Sequence, residues 1–156
     1  MGIWEAIRCR SRHPRWNTWA RRAPRDRFQS KIQASLQKGR GVIQIKRVYE
    51  SPLKKDGYRV LVDRLWPRGL SKQAAKVDLW LKEVAPSDSL RKWYSHDVEK
   101  WQGFVKKYSA ELRGKSPSLA QIKALEKQQG TVTLLFGARD PEHNQAVVLL
   151  RVLKKK

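Results

Sequence analysis

Two short runs constrain this chain more than anything else in it. Tyr58-Arg59-Val60-Leu61-Val62 and Thr131-Val132-Thr133-Leu134-Leu135-Phe136 are rich in β-branched and aromatic residues and nearly continuously apolar. A strand with one wet face alternates, whereas a strand buried on both faces does not. The two runs therefore predict central strands of a sheet covered on both sides. Between them the spacing becomes helical: Trp101, Phe104, Val105, Tyr108 and Leu112 follow the i, i+3, i+4, i+7, i+11 rule of one buried face. Strands separated by helices predict an α/β fold, a small parallel or mixed sheet covered by helices. The chain's 156 residues suffice for one such domain with a real core.

The other elements follow from local signals. Val42 to Tyr49 reads as a first strand, and Pro52 and Asp56-Gly57 mark the turn before the second. Ser71 caps a short helix to Lys76, and the alternation of Val77, Leu79 and Leu81 predicts a short strand over residues 77–84. Ser87 or Ser89 caps a helix to Tyr94 with Leu90, Trp93 and Tyr94 inward. Asp97 caps the next, which Gly114 closes. Ser118 with Gln121 forms a capping-box pattern for a helix that Gly130 stops. Asp140 as N-cap and Pro141 at the first helical position predict the start of a last, strongly apolar helix.

Residues 1–41 differ from the rest. They mix arginines with Trp4, Trp16, Trp19, Pro14 and Pro24, and most of their length lacks periodicity. They read as a basic, disordered extension preceding a domain at 42–156. An organelle transit peptide and a nucleic-acid arm are weaker readings, and the apolar centre of a secretory signal is missing. The formal net charge is +21, and residues 42–156 alone hold 24 Lys and Arg against 12 Asp and Glu. The body is thus basic without its extension, which permits attraction to phosphate and anionic surfaces. Cys9 is the one cysteine, so no intrachain disulfide forms, and a reducing cytoplasmic setting is expected. No apolar run spans a bilayer, so no membrane partner is expected.

The chemistry concentrates where strands end. After Val62 the chain turns into Asp63-Arg64-Leu65-Trp66-Pro67-Arg68-Gly69, and after Phe136 into Gly137-Ala138-Arg139-Asp140. Ligands of open α/β sheets bind at the carboxyl ends of the strands. Arg64, Arg68 and Arg139 are therefore expected to converge on one cleft for an anion, aided by the amides of Glu142 and His143 at a helix start. Trp66 can stack on a ring, and Asn144 completes the candidate ligand-binding set. Asp63 and His143 are the candidate acid–base pair. A structural reading competes: Arg64 or Arg68 pairs with Asp63, Asp78 or Asp140, and Asp140 merely caps its helix. Trp80, Trp93 and Trp101 read as packing residues, and His96 as a surface residue beside a helix start. No metal-ligand spacing, Gly-rich phosphate loop or dinucleotide fingerprint is present, so no cofactor is expected.

Several stretches are similar to the YeaO-like branch of the family called domain of unknown function 488. They are Ile45-Lys46-Arg47-Val48-Tyr49, the run from Asp56 through Gly69, Trp80-Leu81-Lys82-Glu83-Val84-Ala85-Pro86-Ser87, Ser95-His96-Asp97, and Ala138-Arg139-Asp140-Pro141-Glu142-His143-Asn144. The resemblance covers about residues 42–153 and implies a compact cytosolic α/β domain without an established activity. In a related branch the last strand ends on a cysteine and a Cys-His-Arg triplet opens the final helix. Phe136 and Asn144-Gln145-Ala146 stand here instead, so the thiol or metal chemistry suggested for that branch has no support in this chain. Residues 1–41 have no counterpart in the family. Together these readings predict a basic pocket for a phosphate- or carboxylate-bearing small molecule, with catalysis left open. The alternative is a nucleic-acid-binding module that uses the basic surface and the extension. Oligomeric state is not legible.

Overall fold

The structure, a computed structural model, describes residues 41–155. The extension predicted for residues 1–41 therefore lies, but for Gly41, outside the described residues. Strands β1 (Val42–Arg47), β2 (Tyr58–Leu61), β3 (Leu79–Trp80) and β4 (Thr131–Phe136) alternate with helices α1 (Lys72–Ala75), α2 (Asp88–Tyr94), α3 (Trp101–Arg113), α4 (Ser116–Gln129) and α5 (Gln145–Lys154). All strand pairs are parallel, in the order β1-β4-β2-β3. The two apolar runs are neighbours, in register from Tyr58 opposite Val132 to Leu61 opposite Leu135. The architecture is the α/β sheet that the pattern predicts.

Successive strand residues point to opposite faces, and the core divides accordingly. Val60, Val132, Leu134 and Phe136 join Phe104, Tyr108, Leu112, Ile122 and Leu149 in one large cluster. Leu61 and Leu135 face the other way, against Val48, Ala75 and Val77. Side chains such as Phe104 and Leu112, both almost fully buried, each contribute roughly 1.5–3 kcal/mol by leaving water. The near-continuous apolar character of β2 and β4 is thus used on both faces.

Some boundaries differ from expectation, each for a local reason. The predicted strand 77–84 shortens to Leu79–Trp80, because after Leu81 pairs with the Leu61 carbonyl the chain turns into a 3-10 helix at Lys82–Val84, closed by the Val84 N–H on the Leu81 carbonyl. Trp93 is 37% exposed and Trp80 40%, so neither is a core residue; only Trp101 of the packing tryptophans is buried. Gly114 adopts right-handed helical geometry (φ −77°), and α4 begins at Ser116 with Pro117 in its first turn, so Ser118 lies inside the helix rather than capping it. The last helix starts at Gln145, not after Asp140. Extended Asn144 (φ −137°, ψ 165°) breaks the helical path and takes the cap.

Candidate functional site

At the carboxyl edge of the sheet lies a cleft of about 380 Å³, within the range of small-molecule sites. The loop after β2 supplies Asp63, Arg64, Trp66 and Arg68; α2 and the turn after it supply Arg91, Tyr94 and His96; Gln145 opens α5. The loop emerges here because β2 is central and parallel, which forces its exit onto the same edge as that of β4.

Asp63 sits at the junction of the two central strands. Its Oδ2 accepts the Gly137 N–H (2.8 Å) and its Oδ1 accepts the Gln145 side-chain amide. Burial pushes the carboxyl up to about 6, held back by those two donors. Gln145 Oε1 has no hydrogen-bond partner among the described residues. Trp80, on β3, ties the loop down by donating from Nε1 to the Asp63 carbonyl (2.8 Å). Trp66 is fixed in turn: its Nε1 donates to the Leu70 carbonyl (2.7 Å), and its ring meets Trp80 edge-on at 5.4 Å.

The cationic side is built from two elements. Arg64 Nη2 lies 3.5 Å from Asp88 Oδ2, and Arg91 Nη2 lies 3.4 Å from Asp88 Oδ1. One carboxylate thus holds two guanidinium groups side by side, leaving one net positive charge. Arg68 adds a further charge with no ion-pair partner among the described residues. These pairs are exposed and weak, worth ~0–1 kcal/mol each, so the arginines stay available to a ligand.

The predicted site residues separate into two groups. Asp63, Arg64, Trp66 and Arg68 line the cleft; Arg139, His143 and Asn144 do not. Arg91, rather than Arg139, is the third arginine. The amides of Glu142 and His143 are not free for an anion: both donate to Asp140 Oδ1, at 2.8 and 3.1 Å. His143 Nδ1 lies 2.8 Å from Asp140 Oδ2, with its ring edge-on to Trp101 at 5.2 Å. The fully buried Asn144 caps α5 through Oδ1 and donates Nδ2 to the carbonyls of Asp140 and Pro141. That leaves it no spare donor or acceptor. The Asp140–Asn144 segment is thus a self-satisfied turn leading into the helix.

Sequence reasoning missed Arg91, Tyr94, His96 and Gln145. Tyr94 looks like core, and it is, but it also forms cleft wall: its ring stacks on Phe104 at 4.2 Å and its hydroxyl donates to the His143 carbonyl. Ser95 and His96 both carry left-handed backbone (φ 45° and 60°), which turns the chain sharply after α2 and brings His96 to the cleft. No glycine announces that turn. Among the described residues no cluster of three His, Cys, Asp or Glu could hold a metal ion, and no helix is long and apolar enough to cross a membrane.

Residues 42–156 match the family described as the inactive DUF488-N3 subclade. The uncharacterised protein YeaO of Escherichia coli is 42% identical over 107 residues, covering 69% of this chain and 92% of YeaO. An uncharacterised protein of Mycobacterium tuberculosis is 40% identical over 111 residues, covering 71% of this chain and 92% of its own length. No solved structure matches the chain. From Val42 onward, the chain belongs to the DUF488 family, as a YeaO-like member of its inactive DUF488-N3 subclade.

Proposed function

We propose that this protein binds a small phosphate- or carboxylate-bearing molecule in the cleft without turning it over. The observation that carries this reading is the placement of Arg64, Arg68 and Arg91 on one cleft, with two of them paired by a single shared carboxylate. Guanidinium forks match phosphate and carboxylate geometry. The subclade's description as inactive supports binding without catalysis. So does the position of His143 outside the cleft lining, which separates it from Asp63. In this reading Asp63 accepts hydrogen bonds from the ligand, and His143 steadies the turn before α5.

Calorimetric titration with inorganic phosphate, pyrophosphate and citrate tests the reading. At least one should bind, and Arg64→Ala, Arg68→Ala and Arg91→Ala should each cost roughly 1.5–3 kcal/mol of affinity, as charge-assisted hydrogen bonds do. Anion binding unchanged in all three variants would refute it. A truncated chain beginning at Gly41 should bind equally well and melt within a few degrees of the full chain.

A second reading, nucleic-acid binding, rests on the excess of 24 Lys and Arg over 12 Asp and Glu in residues 42–156. Such binding should collapse by orders of magnitude between about 50 and 200 mM salt. Tight binding that survives high salt, prefers one sequence and needs residues 1–41 would place this reading first.

A further inference from the structure

We infer that the cleft's ligand carries a heteroaromatic ring with adjacent N–H donors as well as its anionic group, as a guanine nucleotide does. This rests on the anion-binding reading and goes beyond it by naming the rest of the molecule.

The cleft is too large and too apolar for a bare anion. Its 380 Å³ is walled by Trp66, Tyr94, Phe104 and two prolines as well as by its arginines. An inorganic phosphate on the arginines would leave those walls wet. The aromatic walls are also held in place before any ligand arrives. Trp66 is tied by its Nε1 bond and by Trp80, and Tyr94 by its hydroxyl bond and by the stack on Phe104. Tyr94 and Phe104 are almost fully buried and form the floor, so the half-buried, pre-fixed Trp66 is the face left for a flat ring, with little side-chain freedom lost on stacking.

Two observations narrow the ring further. Asp63 and Gln145 meet in the cleft lining and present acceptors: the second lone pairs of the carboxylate and the unpartnered Gln145 Oε1. That edge calls for adjacent N–H groups, such as N1–H and the 2-amino group of guanine, and disfavours the acceptor N1 of adenine. His96 is the second. It is exposed, its ring centroid lies 5.7 Å from that of Tyr94, and it follows Ser95 through two consecutive left-handed non-glycine residues. Ser95 takes this backbone as the C-cap of α2, its N–H on the Arg91 carbonyl, which leaves His96. There the left-handed form, at roughly 1–2 kcal/mol, tends to persist where a side chain must be aimed at a ligand. Here it aims an imidazole at the cleft beside the aromatic wall.

Both a free nucleotide and the phosphorylated end of a strand offer this chemistry. The test is calorimetry with the full chain against GMP, AMP, guanosine, inorganic phosphate and a single-stranded oligonucleotide carrying a 5′-phosphorylated guanosine. GMP should bind at least tenfold more tightly than phosphate, guanosine or AMP. His96→Ala should weaken GMP about tenfold and leave phosphate unchanged, while Arg64→Ala should weaken both. The oligonucleotide binding better than GMP, with the same dependence on Arg64 and His96, would assign the ring and phosphate to a strand end and uphold the inference. Phosphate binding as tightly as GMP, or His96→Ala leaving GMP unaffected, would overturn it while the anion-binding reading stands. No binding of any of these probes would remove both.

Discussion

Strand β2 is flanked by a buried aspartate and a half-buried one that behave in opposite ways. Asp56 precedes it. Its carboxylate takes Lys46 Nζ at 2.9 Å, the Arg59 guanidinium and the Leu53 N–H. Burial pushes this carboxyl up, but the Leu53 N–H, Lys46 and Arg59 outweigh that and hold it below its ordinary value. Asp63 follows the strand. It has two neutral hydrogen-bond donors and no cation against it, and it sits near 6. Asp56 and its partners fasten β1, β2 and α1 together, because Arg59 also donates to the carbonyls of Ala75 and Lys76. Asp63 lines an open cleft. The difference teaches how each edge of the sheet is used: the edge at the start of β2 is locked by ion pairs, while the edge at its end stays open as the cleft that we propose binds an anion.

The strongest way to break the contrast is to strip the paired aspartate. Arg59→Leu leaves Asp56 buried beside Lys46 alone and orphans two carbonyls. Removing one member of a buried ion pair costs about 3–5 kcal/mol, and urea denaturation at pH 7 should show that loss. Arg59→Lys should not restore it, since one ammonium cannot reach the three acceptors that the guanidinium serves.

The unpaired aspartate should respond with the opposite sign. The folded state holds the Asp63 proton more tightly than the unfolded chain, whose value is near 3.8. Asp63's contribution to stability is therefore fully present below about 3.8 and is lost as pH rises through about 6. A shift of this size amounts to about 2–3 kcal/mol. Asp63→Asn keeps an acceptor for the Gly137 N–H and removes the titration. The variant should be more stable than the wild type at pH 8, and stability curves from pH 3 to 8 should show the wild type's Asp63-dependent loss between pH 4 and 6 disappear. Asp56, with its lowered value, contributes in the other direction: its stabilisation is present above its unfolded pKa and is lost as pH falls through its folded value.

Smaller effects sharpen the comparison in the loop itself. Gly69 has a left-handed φ of 76°, with open space where a Cβ would stand. Gly69→Ala should cost only the conformational penalty, ~1 kcal/mol. Gly57, at the structural edge, adopts φ 62° and ψ −135°, and a Cβ there would strike the Thr131 backbone. Gly57→Ala should exceed the loss at Gly69 in the same thermal melts. Smallest of all, Arg68→Ala should change stability by less than about 0.5 kcal/mol, as surface substitutions do, while lowering anion affinity.

The sequence by itself determined the sheet and most of what covers it. Apolar runs without alternation permit only doubly buried strands, and the spacing from Trp101 to Leu112 permits only a helix with one buried face. Asp63, Arg64, Trp66 and Arg68 were legible as cleft residues because parallel central strands must exit on one edge. Tertiary structure decided what periodicity does not encode. Arg91 and His96 reach the cleft because α2 packs beside it and Ser95-His96 turn left-handed without a glycine to signal it. Arg139 falls outside because the turn after β4 spends its polar groups on itself, with Asp140 and Asn144 absorbing the free amides. The same chemistry at both ends of β2 took opposite roles for a related reason. Asp56 finds Arg59 three residues along its own chain and Lys46 on β1, whereas Asp63 meets only Gly137 and Gln145, brought in from far along the chain by packing.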